Sequence, residues 1–159
     1  MKGFSKKIET HKKENEITTF NIPFPIEDNK KNIILSNNKA NNISKEEVIS
    51  KAFKAHSAGK ISEAMKYYKY FIKQGFIDPR VFNNYGGILQ SIGDDDLAKK
   101  LILKAIEIKP NFAMAHNNLG NILLSQGKLN EAEISLRKAI ELKPDLAEAY
   151  NNLGTILKD

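Results

Sequence analysis

AMAHNNLGNILLSQGKLNEAEISLRKAIELKPDL, residues 113–146, decides the fold. Its first half places Ala115, Leu119, Ile122 and Leu123 at three- and four-residue steps, the spacing of one face of an amphipathic helix. Its second half does the same with Ala132, Leu136, Ala139 and Ile140, while Glu131, Glu133, Arg137, Lys138 and Glu141 face outward. Gln126-Gly127-Lys128-Leu129 between them is long enough only for a sharp reversal, so the two helices must lie antiparallel and touching. The unit is a helical hairpin.

Shifting this unit along the chain by 34 residues brings it onto itself without an insertion. Gly120 falls on Gly86 and Gly154, Gly127 on Gly93 and Gly59, Ala132 on Ala98 and Ala64, Ala139 on Ala105, and Pro144 on Pro110. Asn83-Asn84-Tyr85, Asn117-Asn118-Leu119 and Asn151-Asn152-Leu153 coincide as well. Repetition at a spacing of this size marks a helical solenoid.

The unit resembles the tetratricopeptide repeat. Counting from Ala113, the family pattern is met by His116, Leu119, Gly120, Leu123, Gly127, Ala132, Leu136, Ala139 and Pro144, and the resemblance extends over 45–159. It implies an all-α, right-handed superhelical solenoid of antiparallel helix hairpins. The frame divides the chain into a tail at 1–44, a divergent first repeat at 45–78, further repeats at 79–112 and 113–146, and the first helix of an incomplete fourth at 147–159. Small Gly120 and Ala132 let two axes approach closely, and Gly127 suits a left-handed backbone where the first helix ends. Asn130 is the expected N-cap of the second helix, with Glu133 completing a capping box and Ser62 and Asp96 in the same frame position. Pro110 and Pro144 stop the second helices, and Pro79 opens a first helix.

The tail carries eight asparagines, eight lysines and five acidic residues, a composition too polar and too averse to helix to build a core, and it is read as mostly disordered. Within it, Phe20-Asn21-Ile22-Pro23-Phe24-Pro25-Ile26 is an apolar, proline-stiffened patch. This patch is either loose tail or an extended segment that docks on the solenoid or a partner. The first repeat puts Phe71 where Ala105 and Ala139 sit and Phe76 in place of a proline, and adds Tyr67 and Tyr70. Both a terminal cap and an aromatic contact surface fit this divergence. Asp94-Asp95-Asp96 reads as helix capping rather than a metal site. Residues 147–159 keep the apolar pattern of a first helix, so they form either a closing lid or the start of further repeats.

In such a stack the first helices line the inner surface, and positions 2, 6, 9 and 13 of each share a face. They read Arg80, Asn84, Gly87, Ser91, then Met114, Asn118, Asn121, Ser125, then Glu148, Asn152, Thr155, Asp159. Asn84, Asn118 and Asn152 stand one above another, each with two donors and an acceptor, the set that pairs with a peptide N–H and C=O. This ladder resembles the asparagine array of the repeat domain in protein O-GlcNAc transferases. The match holds at these three residues only, since Ser50 interrupts it in the first repeat, and it implies binding of an extended segment without sugar transfer. The clamp by which other repeat domains of the family hold a chaperone C-terminus is not matched: Ile49, Phe53, Met114 and Asn118 occupy its positions.

No cysteine is present, which removes disulfides and thiol chemistry. No long apolar run marks a leader or a membrane span, and a cytoplasmic location is the expectation. His11, His56 and His116 are isolated, with His116 at a buried frame position, and no triad or phosphate loop is legible. The net charge of +6 is split evenly between tail and repeats, without the concentrated stripe that nucleic acid requires. The expected function is a non-catalytic scaffold, without cofactor or metal, that binds a protein or extended peptide through Asn84, Asn118 and Asn152 with Arg80, Asn121 and Ser125. The alternative is the recognition arm of a larger enzyme, such as the glycosyl- or sulfotransferases attached to bacterial repeat proteins of this kind. Self-association through an exposed edge of Leu153, Ile156 and Leu157 is a further expectation.

Overall fold

The structure, a computed structural model, describes residues 43–157, and the readings made on the N-terminal tail lie outside these. Among the described residues there are seven α-helices and no strand: α1 (Lys45–Ser57), α2 (Ile61–Lys73), α3 (Pro79–Ser91), α4 (Asp95–Ile108), α5 (Ala113–Ser125), α6 (Leu129–Leu142) and α7 (Ala147–Ile156). α1 pairs with α2, α3 with α4 and α5 with α6 as hairpins, and α7 packs on α6.

Each hairpin turns on a glycine whose missing Cβ permits a left-handed backbone. Gly59, Gly93 and Gly127 have φ of 69°, 87° and 70°. The residue after each donates back to the helix it has left, Lys60 to the Ala55 carbonyl, Asp94 to Leu89 and Lys128 to Leu123, all at 2.9 Å. This ring satisfies carbonyls that a helix end leaves orphaned. It also moves the start of the next helix. The second helices begin at Ile61, Asp95 and Leu129, with Lys60, Asp94 and Lys128 as N-caps. The capping expected at Asn130, Ser62 and Asp96 is therefore corrected: the tight turn places them inside the first turn. Of the three N-caps, Asp94 alone supplies a side-chain bond, accepting the Leu97 N–H at 3.2 Å.

The hairpins close because small residues meet at the crossings. Ala64, Ala98 and Ala132 are fully buried. A Cβ at Gly86 would lie 2.7 Å from Ile102 Cγ1, and one at Gly120 only 2.6 Å from Leu136 Cγ. Gly154, in the same frame position of α7, would meet nothing within 4 Å.

The layers differ in how tightly they stack. First helices touch their successors, α3 against α5 and α5 against α7, whereas α4 and α6 make no comparable contact with each other. α3, α5 and α7 therefore form the inner, closely packed layer, and α4 and α6 splay apart outside it. That difference curves a solenoid. The no-span expectation agrees with the helices: among the described residues none is long and apolar enough to cross a membrane.

Candidate functional site

The inner layer carries the three asparagines of the ladder, all half-buried. They are not free amides. Asn118 Nδ2 donates to Asn83 Oδ1 at 2.9 Å, and Asn152 Nδ2 donates to Asn117 Oδ1 at 3.2 Å. Each bond joins a first helix to the one before it. The acceptors Asn83 and Asn117 are only 5% and 3% exposed. Their own amides are engaged too, Asn83 Nδ2 with Asn84 Oδ1 at 3.3 Å and Asn117 Nδ2 with Glu148 Oε2 at 3.3 Å. Asn118 and Asn152 each keep the Oδ1 acceptor and one N–H.

Asn83 and Asn117, which bridge the first helices, are not singled out in the sequence reading. The signal was present in the repeated Asn-Asn pair, whose first member falls on the side of the helix that faces its neighbour. Where that pair is lacking, the junction is built differently. Ile49 and Ser50 occupy these positions in α1, and the Asn84 amide lies near the Tyr68 hydroxyl. Tyr68 Oη lies 3.0 Å from His56 Nδ1. Asn118 thus donates to Asn83 and Asn83 to Asn84, which joins α5 to α3, while Tyr68 and His56 are joined within the first hairpin.

Aromatic rings complete the first junction. Tyr68 stacks on Tyr85 with centroids 5.7 Å apart, and Phe53 and His56 flank Tyr68 at 6.3 and 6.0 Å. The buried aromatic residues of the first repeat are thus Tyr68 and Phe71, while Tyr67 and Tyr70 are half-exposed. Burial pushes the Tyr68 hydroxyl up to about 12 against the opposing Asn84 bond. Burial, with Asp94 nearby, also pushes the Tyr85 hydroxyl up. The Tyr85 hydroxyl has no hydrogen-bond partner.

Arg80 forms a fork with Asp78, Nε to Oδ1 at 3.1 Å and Nη2 to Oδ2 at 2.7 Å, and its guanidinium sits 5.5 Å from the Phe53 ring centre. Asp78 also caps α3, accepting the Arg80 N–H at 2.8 Å. Burial opposes the Asp78 charge, but the Arg80 bonds and charge, with Lys45, outweigh it and hold the carboxyl below its ordinary value. Asn121 is exposed on α5. The Ser125 hydroxyl lies 2.7 Å from the Ile122 carbonyl and 2.9 Å from Asp95 Oδ2, which ties the end of α5 to the start of α4.

Two further expectations are corrected. His116 is half-buried rather than in the core, with Nε2 2.8 Å from the Pro110 carbonyl. Leu153 is buried among Leu136, Ala139, Leu146 and Ala149, so the large apolar residues left exposed here are Tyr150 on α7 and Leu157 at its C-cap, with Ile156 partly covered.

Models of the tetratricopeptide repeat match residues 79–112 and 101–134, and a further TPR repeat model matches 120–159. The matches run without a gap through three first helices and two complete hairpins. The chain is a tetratricopeptide repeat protein. No curated protein sequence matches it significantly. Among solved structures, MamA is similar over 76% of this chain and 70% of its own, at 22% identity and a TM-score of 0.68. The first repeat domain of Spaghetti (RPAP3), bound to the HSP90 peptide SRMEEVD, is 21% identical over 73% of this chain and 94% of its own, with a TM-score of 0.66. An O-GlcNAc transferase from Thermobaculum terrenum is 26% identical over 71% of this chain, which spans 22% of that protein, with a TM-score of 0.66.

Proposed function

We propose that this tetratricopeptide repeat protein is a non-catalytic interaction scaffold that holds an extended peptide along the inner layer of first helices. The observation that carries the reading is the pair of half-buried carboxamides of Asn118 and Asn152, each anchored at one N–H by the preceding helix and open at Oδ1 and the second N–H. An anchored amide loses little rotamer freedom on binding, so both remaining groups are preorganised for a peptide unit. Asn84, Arg80, Asn121 and Ser125 extend the same face. That the RPAP3 domain of similar fold is bound to a peptide supports a peptide partner here.

The test is selection from a displayed random-peptide library, followed by titration of the selected peptide by calorimetry. Replacing Asn84, Asn118 and Asn152 together by Ala is expected to abolish binding. Asn83→Ala and Asn117→Ala are the controls, because they release the same helix contacts without removing the groove amides. Equal loss in both sets would make the ladder structural and end the proposal. A second reading, the recognition arm of a larger enzyme, draws on the likeness to the O-GlcNAc transferase, of which this chain spans 22%. Reading the coding sequence past Asp159 separates the two.

A further inference from the structure

The splayed second helices leave a cleft between α4 and α6, floored by α5. It measures about 540 Å³ and is lined chiefly by Leu103, Ile106, His116, Leu119, Ile134 and Ser135. A contiguous part of about 270 Å³ continues between Lys99 and Glu131. The repeat frame supplies an internal control for its composition. One repeat earlier, the positions of His116, Leu119 and Ser135 hold Phe82, Tyr85 and Leu101, all buried. Smaller or polar floor residues open the later cleft. The rim changes in the opposite sense: Ile134 replaces the lysines of the other two repeats, Lys66 and Lys100, and Leu103 stands where they have Lys69 and Arg137. Ile134 is 71% exposed and Leu103 44%. Solvent alone gives no reason to exchange lysine for an aliphatic residue at two positions facing one cleft.

The charges beside these residues indicate the occupant. On α6, Glu131 lies one turn before Ile134 and Lys138 one turn after; on α4, Lys99 precedes Leu103 and Glu107 follows it. Each rim helix therefore changes sign across its own exposed aliphatic residue. Such a surface is complementary to itself when turned end for end, the requirement of an isologous two-fold contact. Lys138 pairs with Glu141 and Lys104 with Glu107 within their helices, but exposed pairs of this kind are weak and exchange partners readily.

We infer that this outer cleft is a self-association face on which a second copy packs antiparallel, with Ile134 on Ile134, Leu103 on Leu103, and Glu131 against Lys138 of the other copy. It lies on the opposite layer from the asparagine face. Light scattering across a concentration series should show wild-type protein passing from monomer to dimer. Ile134→Lys, which restores the residue of the other repeats, should raise the dimer dissociation constant about tenfold or more, since each dimer loses two central contacts, with helicity unchanged. Glu131→Lys should weaken the dimer and Glu131→Lys with Lys138→Glu should restore it, while Leu157→Lys on α7 should leave it intact. A wild-type monomer at all concentrations, no rescue by the double exchange, or loss of the dimer in Leu157→Lys would each overturn the inference.

Discussion

At the scale of single residues, identical positions in the frame have opposite demands. A methyl group at Gly120 would press on the buried Leu136 at its branch point rather than at a movable end. Gly120→Ala is therefore expected to destabilise the fold by about 1–3 kcal/mol. At Gly154 the same methyl meets open space, so Gly154→Ala should stabilise by about 0.5–1 kcal/mol through helix entropy alone. Urea titrations followed by circular dichroism measure both, and equal signs would refute the packing argument. The stacked tyrosines form a second opposed pair. Tyr85 buries a hydroxyl without a partner, and Tyr85→Phe should stabilise by about 1 kcal/mol. Tyr68→Phe removes the bond to His56 and should destabilise by a similar amount, about 1 kcal/mol. The glycine positions were legible in the sequence because small residues recurred at one spacing. The partner of a hydroxyl was not, because it depends on helices that the sequence does not show meeting.

At the scale of elements, the helices and their pairing were legible and their ends less so. Asn130 has the chemistry of an N-cap, but the ring closed from Lys128 to Leu123 fixes the chain two residues earlier. Sequence shows which residues can cap; turn geometry selects the one that does. Asp78 shows the reverse, an N-cap just before Pro79 that the proline signal overshadowed. Its carboxyl is held below its ordinary value, so the charged form is favoured by the fold. The resulting stability is complete above the unfolded value, near 3.8, and is lost as pH falls through the lower folded one. Acid titration of wild type should therefore show a loss of stability that Asp78→Asn lacks, since the amide still accepts at the cap but cannot change charge. Parallel acid profiles would remove Asp78 from the account. Substitution by Ala should cost about 1–2 kcal/mol at neutral pH as the cap is lost.

At the scale of the whole molecule, the question is how the seven short helices of the described residues unfold together. Contacts in a solenoid run only between neighbours, so cooperation depends on the strength of each junction. Apolar burial joins α5 to α6 within a hairpin, but between first helices the polar bridges through Asn83 and Asn117 are the directional link. The sequence announced the ladder members Asn84, Asn118 and Asn152, while their second duty in coupling the helices emerged only with the three-dimensional register. Asn83 accepts from Asn118 on α5 and donates to Asn84 on its own helix. Asn83→Ala breaks that chain at its centre and leaves a half-buried amide on Asn118 without its acceptor, at a cost of about 1–3 kcal/mol. Because the loss falls at one junction, the hairpins on either side should then unfold at separate denaturant concentrations. Hydrogen exchange would show α1–α4 and α5–α7 with different opening free energies. If the variant still exchanges as one unit with unchanged protection, the coupling resides in apolar packing, and the asparagine bridges are free to serve the groove alone.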